Sequence, residues 1–312
     1  MSFGRDLREE LAHVETGQDH CRRAETSALL RFGGALRLGG GSAGVGWVTE
    51  TSSGAAARRL RASLDLIAKV RPEVEVHQPG GLRHTTSYRV TLAPPAGELL
   101  TVLGILDARG RPVDAVPQRI WPRRCCTAAY LRGAIMVAGS VGDLRHDPHF
   151  ELRAPSEAAA RSAAQMITKL VDHAASVQEH ERGWRVVLKA GPAIGDVLAR
   201  TGAHDAFLRW DAERLRRDLR QSANRMANAD RANLGRSVTA AARQSIAAST
   251  LMGSSAWEGL ARELQEVALA RLANPEASLA ELGGLLEPPV GKSAVYRRLA
   301  RVVVLATAIE GP

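Results

Sequence analysis

Cysteine, lysine and aromatic residues are all scarce in this chain of 312 residues. Three cysteines, Cys21, Cys125 and Cys126, are too few and too unevenly spaced for a disulfide framework, which points to a reducing cytoplasm. Lysine occurs at four positions, Lys69, Lys169, Lys189 and Lys292, so the 42 basic residues are nearly all arginine. No stretch approaches the roughly 18 consecutive apolar residues of a membrane helix. The N-terminus carries Asp6, Arg8, Glu9 and Glu10 and has no apolar core of a signal segment. The expectation is a cytoplasmic protein, neither exported nor anchored, with no membrane partner.

What is present bounds the answer further. Apolar residues make up 45% of the chain, enough to bury two domain cores. The formal net charge of +9 favours acidic partners without singling out nucleic acid.

The N-terminal two thirds carry an internal repeat. Ala55-Ala56-Ala57-Arg58 recurs as Ala158-Ala159-Ala160-Arg161, and Leu66-Ile67-Ala68-Lys69 is echoed by Met166-Ile167-Thr168-Lys169. Tyr88-Arg89-Val90-Thr91-Leu92 pairs with Trp184-Arg185-Val186-Val187-Leu188, each alternating like a half-buried strand. Glycines at Gly39-Gly40-Gly41 and Pro79-Gly80-Gly81 suit hairpins or connecting loops. The unit therefore reads as helix, strand pair, helix, strand or strands, helix, occurring twice, over about 20–108 and 124–204.

The helix that opens each unit is the informative part. Leu131-Arg132-Gly133-Ala134-Ile135-Met136-Val137-Ala138-Gly139-Ser140 resembles the LAGLIDADG motif of homing endonucleases, and the stretch from Thr26 through Gly33 to Ala35 is a weaker copy. That resemblance implies two helices packed across a pseudo-twofold axis, with strands forming a saddle over DNA. In those nucleases the acid before the last glycine holds the catalytic metal. Here Gly33 and Ala138 stand in its place, and neither can bind a cation. Asp143, just beyond the motif, reads as a solvated loop residue.

After about residue 202 the alternation stops and the chain reads as helical. Arginines from Arg214 to Arg243 outnumber the acids there, with Arg220 and Arg225 interleaved with Asn224, Asn228 and Asn233, side chains able to donate to phosphates or base edges. A solvated helix face explains the same composition. Ser278-Leu279-Ala280-Glu281 is a capping box that starts a helix, with Leu279, Leu282, Leu285 and Leu286 as its apolar stripe. Pro288-Pro289 ends it. Ser293 is the expected cap of a second helix with Val295, Leu299, Val302 and Ala306 on one face. Ser293, Arg297 and Arg301 lie opposite, with Tyr296 and Arg298 at the flanks, and Lys292 is expected to meet phosphate together with Arg220 and Arg225. Helix, turn and basic-faced helix over about 278–306 make a helix-turn-helix pattern, whose second helix would enter the major groove.

These segments converge on a resemblance to the WhiA family of transcription regulators. It rests on Cys125-Cys126-Thr127-Ala128-Ala129-Tyr130-Leu131-Arg132-Gly133-Ala134, on the stretch from Asn224 to Asn233, on Pro288-Pro289-Val290-Gly291-Lys292-Ser293 and on Cys21-Arg22-Arg23-Ala24-Glu25. The resemblance implies an α+β chain: a duplicated LAGLIDADG-like α/β domain over 1–204, then an all-α helix-turn-helix domain over 205–312. It further implies a nucleoid-associated, sequence-specific DNA-binding regulator of sporulation, cell division and chromosome segregation genes. Such a regulator would have no nuclease activity and no cofactor, and would bind double-stranded DNA, with a WhiB-like iron–sulfur regulator and RNA polymerase holoenzyme as further partners. Two rivals remain: a protein-interaction scaffold with weak DNA binding, and an active DNA endonuclease.

Two other features read as structural. His146 and His149 have ligand-like spacing but no visible partner pair for a zinc tetrahedron, and Cys125-Cys126 read as buried small residues at a helix start.

Overall fold

Serines at matching places in the repeat start matching helices. Ser53 and Ser156 each accept a hydrogen bond from the backbone N–H three residues on, at 3.2 Å, opening α3 (Gly54–Ala68) and α6 (Glu157–Val171). Both helices end on a left-handed residue that is not glycine, Lys69 at φ 58° and Asp172 at φ 54°. The computed structural model describes residues 3–38, 44–80, 85–142, 147–181 and 183–310. Asp143, His146 and the glycines at 39–41 and 81 lie outside these residues.

After α1 (Phe3–His13), the first copy runs α2 (Asp19–Gly33), β1 (Gly34–Leu38), β2 (Val45–Thr51), α3, β3 (Glu73–His77), β4 (Ser87–Leu92) and α4 (Gly97–Val102). The second runs α5 (Arg124–Ala138), β5 (Gly139–Val141), β6 (Phe150–Ala154), α6, β7 (Ser176–His180), β8 (Gly183–Leu188) and α7 (Gly191–Thr201). Each copy makes a four-stranded antiparallel sheet, ordered β1-β2-β4-β3 and β5-β6-β8-β7. The expected repeat of helices and strands is what forms.

Helices α2 and α5 pack backbone to backbone. A Cβ on Gly133 would run into the Glu25 carbonyl oxygen, so only glycine permits this approach. Beside that contact lies a buried ion triad. Glu25 is fully buried and accepts from Arg132 Nε and Arg59 Nε, each at 2.6 Å. Arg132 also donates to the Thr201 carbonyl at 3.2 Å, and Arg59 to the Val14 carbonyl at 2.6 Å. With every charge partnered, the triad ties α2, α3, α5 and the end of α7 together.

The rest of the chain is helical: α8 (His204–Met252), α9 (Arg262–Ala273), α10 (Leu279–Gly284) and α11 (Lys292–Glu310). The molecule divides into two compact units, 1–218 and 219–312. The division falls after Asp218 and not at the expected residue 204, because the first turns of α8 belong to the first core. Ala206 and Trp210 are buried there, and Glu10 accepts from the Asp205 and Ala206 backbone N–H groups at 2.8 and 2.9 Å. The second unit has its own core, built from Ala248, Leu251, Val267, Leu282, Val295, Leu299 and Val302.

Candidate nucleic-acid interface

The turn between α10 and α11 is set by local chemistry. Ser278 Oγ accepts from the Glu281 N–H at 3.3 Å, while Glu281 Oε2 accepts from the Ser278 N–H at 2.7 Å, which is the expected capping box. These bonds hold the Glu281 carboxyl below the usual glutamate range, the backbone N–H of Ser278 contributing most. At the other end of α10, the Val290 N–H donates to the Gly283 carbonyl at 2.9 Å, and a Cβ on Gly283 would strike the Val290 carbonyl oxygen.

Two sequence expectations need correcting here. Ser293 does not cap α11: the helix starts at Lys292, and the Gly291 carbonyl accepts its first N–H groups, from Ala294 at 2.9 Å and Val295 at 3.2 Å. Ser293 sits inside the first turn. Leu285 does not join the apolar stripe of α10 either, since that short helix ends at Gly284 and Leu285 is 58% exposed.

Val295, Leu299, Val302 and Ala306 are buried on one side of α11, which leaves Ser293, Arg297 and Arg301 exposed on the other. The two flanks differ. Arg298 donates to Glu263 of α9 at 2.9 Å and is only 21% exposed, so it braces α11 against α9. Tyr296 lines a groove of about 700 Å³ with Gly235, Arg236, Thr239 and Arg243 of α8, while Lys292 is exposed at the helix start.

On α8, Arg220, Asn224, Arg225, Asn228 and Asn233 are all exposed. At 3.6 residues per turn, Arg220, Asn224, Asn228 and Arg231 share one face. Arg225 shares a neighbouring face with Arg236 and Arg243. Asn233 lies at the edge of that second face, where its Oδ1 accepts from Arg236 at 2.6 Å, and it is turned away from the face of Arg220, Asn224 and Asn228.

Sequence reading missed Arg271, which is buried and donates to the carbonyls of Asn274, Pro275 and Ala277 at 3.4, 3.3 and 2.6 Å, fixing the loop into α10. A lone arginine in a basic chain gives no signal of that role.

The sheets look different. Arg89 is gripped by Glu50 at 2.7 Å and Glu75 at 3.6 Å, and Arg185 by Glu151 at 3.2 Å. Those arginines are neutralised across strands. Gly33 and Ala138 are the last residues of α2 and α5 and line a cavity of about 690 Å³. Its carboxylates come from Glu50, already tied to Arg89, and from Glu181, and Arg31 and Arg153 also line it. At the opposite ends of α2 and α5, His20, Cys21, Cys125 and Cys126 come together. Cys126 is buried as expected, but Cys125 is exposed, because neighbouring residues on a helix face different ways.

Family models match three stretches: a WhiA N-terminal LAGLIDADG-like domain over residues 19–106, a WhiA LAGLIDADG-like domain over 127–220 and a WhiA C-terminal HTH domain over 223–306. The chain is 38% identical over 305 residues to the probable cell division protein WhiA of Frankia casuarinae, covering 96% of this chain and 91% of that protein. The chain belongs to the WhiA family. The WhiA protein of Acidothermus cellulolyticus is likewise 38% identical, over 311 residues, with 98% and 94% coverage. The crystal structure of full-length WhiA from Thermatoga maritima shares the fold, with a TM-score of 0.60 at 23% identity over 99% of both chains. The WhiA architecture of two LAGLIDADG-like repeats and a helix-turn-helix is therefore that of this chain.

Proposed function

We propose that the chain is a sequence-specific DNA-binding transcription regulator without nuclease activity, acting on genes of cell division, chromosome segregation and sporulation. One observation carries the reading: α11 buries Val295, Leu299, Val302 and Ala306 in the core of its own unit and leaves Ser293, Arg297 and Arg301 exposed on the opposite side, as a recognition helix requires. Arg297 and Arg301 read base edges in the major groove, and Lys292, Arg220 and Arg225 meet phosphates with Asn224 and Asn228 beside them. Arg298, Tyr296 and Asn233 lie at the margin of that surface. The names of the relatives, probable cell division protein, support the choice of target genes. A WhiB-like iron–sulfur regulator and RNA polymerase holoenzyme are the protein partners that fit such a role, and nucleoid association follows from DNA binding.

Gel shifts on genomic fragments test this. Binding should be selective and weaken steeply with salt, as phosphate contacts demand. Nonselective binding would support a second reading, a scaffold that engages protein through its duplicated domain, which the glutamate-paired arginines of both sheets favour. With Gly33 and Ala138 in place of metal-binding acids, incubation with Mg²⁺ or Mn²⁺ should leave bound DNA uncut. Strand breaks that track the protein through purification would overturn the non-enzymatic reading.

A further inference from the structure

We propose that His20, Cys21, Cys125 and Cys126 form a Cys₃His site for a single Zn²⁺ ion that staples the two repeats together at the N-terminal ends of α2 and α5. Among the described residues this is the one group of three or more side chains whose ligand atoms are in mutual reach, all within 4.8 Å of one another. His20 Nδ1 lies 3.3 Å from both Cys21 Sγ and Cys126 Sγ.

Those spacings fit one tetrahedral ion. Zinc bonds of about 2.3 Å to sulfur and 2.0–2.1 Å to nitrogen set ligand–ligand edges of about 3.8 and 3.5 Å, so closure needs shifts of about 1 Å or less. A multi-iron cluster would force the four atoms farther apart. Three soft thiolates with one imidazole match zinc better than the hard oxygen-seeking cations.

The placement follows from the duplication. Shifting the chain by the repeat that carries Gly33 onto Ala138 also carries His20 onto Cys125 and Cys21 onto Cys126. The four groups therefore face each other across the pseudo-twofold relation of α2 and α5, each pair in a helix's first turn. Two helix N-termini and the nearby Arg123 favour the negative charge that three thiolates bring.

Coordination displaces three thiol protons to solvent and leaves a complex of net charge −1. Arg123 Nη1 lies 3.2 Å from His20 Nε2 and can only donate, so without the ion the imidazole proton sits on Nδ1, toward the sulfurs. On binding, that proton moves to Nε2 and the exposed Arg123 side chain turns aside. Without the ion, burial together with the neighbouring thiols pushes the Cys21 thiol up to about 12; an ion that ionises its thiol ligands outright overcomes this.

The test is a Co²⁺ titration of the full-length, reduced, chelator-treated protein, with Zn²⁺ as competitor. One equivalent should give intense visible bands of tetrahedral cobalt and a near-ultraviolet thiolate charge-transfer band, both erased by Zn²⁺. Zn²⁺ should also raise the melting temperature. Cys125→Ser is the informative variant, because Cys125 is exposed and its loss leaves the core intact. It should weaken binding by about 100-fold or more. His20→Ala should do the same, and both variants should keep the circular dichroism of the parent. The proposal is overturned if reduced protein with three titratable thiols shows no charge-transfer band. It is equally overturned if Cys125→Ser binds as tightly as the parent, or if protein purified without reductant carries a disulfide between these cysteines and no metal.

Discussion

Arg297 and Glu25 show how differently a charge acts in the open and in the core. On the exposed face of α11 the guanidinium of Arg297 is free to make a bidentate contact with a base edge. Arg297→Ala should therefore weaken specific binding by about 1–3 kcal/mol and relax the preference at one operator position. Selection of bound sequences from a random pool measures this, and an unchanged preference removes Arg297 from the reading surface. Glu25 is fully buried between two arginines. Glu25→Ala should destabilise the first unit by about 3 kcal/mol or more, read by denaturant unfolding, because Arg132 stays buried, and Arg59 half-buried, without a counter-charge. The outward arginines were legible in sequence as the polar side of a helical pattern. The triad was not, since Glu25 and Arg132 are brought together only when the two repeats pack.

Among the elements, those with a local cause were readable and those decided by distant neighbours were not. The capping box at Ser278 and Glu281, and the matched serine caps at Ser53 and Ser156, depend on three or four consecutive residues, so pattern alone found the first. The start of α11 depends instead on a carbonyl, that of Gly291, which no side-chain pattern reports. Arg298 looked like a groove contact until α9 supplied Glu263. The capping box carries a pH dependence with a definite sign. The carboxyl of Glu281 titrates lower in the folded protein than the ordinary 4.5, so its contribution is complete above that value and disappears as pH falls through the lower, folded value. At neutral pH, Glu281→Ala should melt at a lower temperature than the parent, and the gap should close on acidification. Ser278→Ala should cost about 1 kcal/mol at neutral pH. A gap between Glu281→Ala and parent that persists in acid would mean that the carboxylate does not cap α10.

At the scale of the whole molecule, the duplication was legible because each copy repeats its own short-range signals. The place where the repeats stop supporting the chain was not legible, because Trp210 and Ala206 look like ordinary helix residues until they are seen inside the first core. That observation shapes the last prediction. A fragment cut at residue 204 removes Trp210 from the first core, whereas one ending at Asp218 keeps it, so 1–218 should unfold cooperatively and 1–204 should be less stable. The fragment 219–312 retains the core of Leu251, Val267, Leu282 and Leu299, together with Lys292, Arg297, Arg301, Arg220 and Arg225. It should fold alone and keep most of the salt-dependent DNA affinity. The arginines named on the two sheets are already held by Glu50, Glu75 and Glu151, so 1–218 should bind DNA only feebly. Fluorescence anisotropy of both fragments against one operator, over a range of salt, separates the two contributions. If 1–218 matched the intact chain in affinity and salt slope, the DNA surface would lie on the LAGLIDADG-like repeats, and the assignment to α11 would fall.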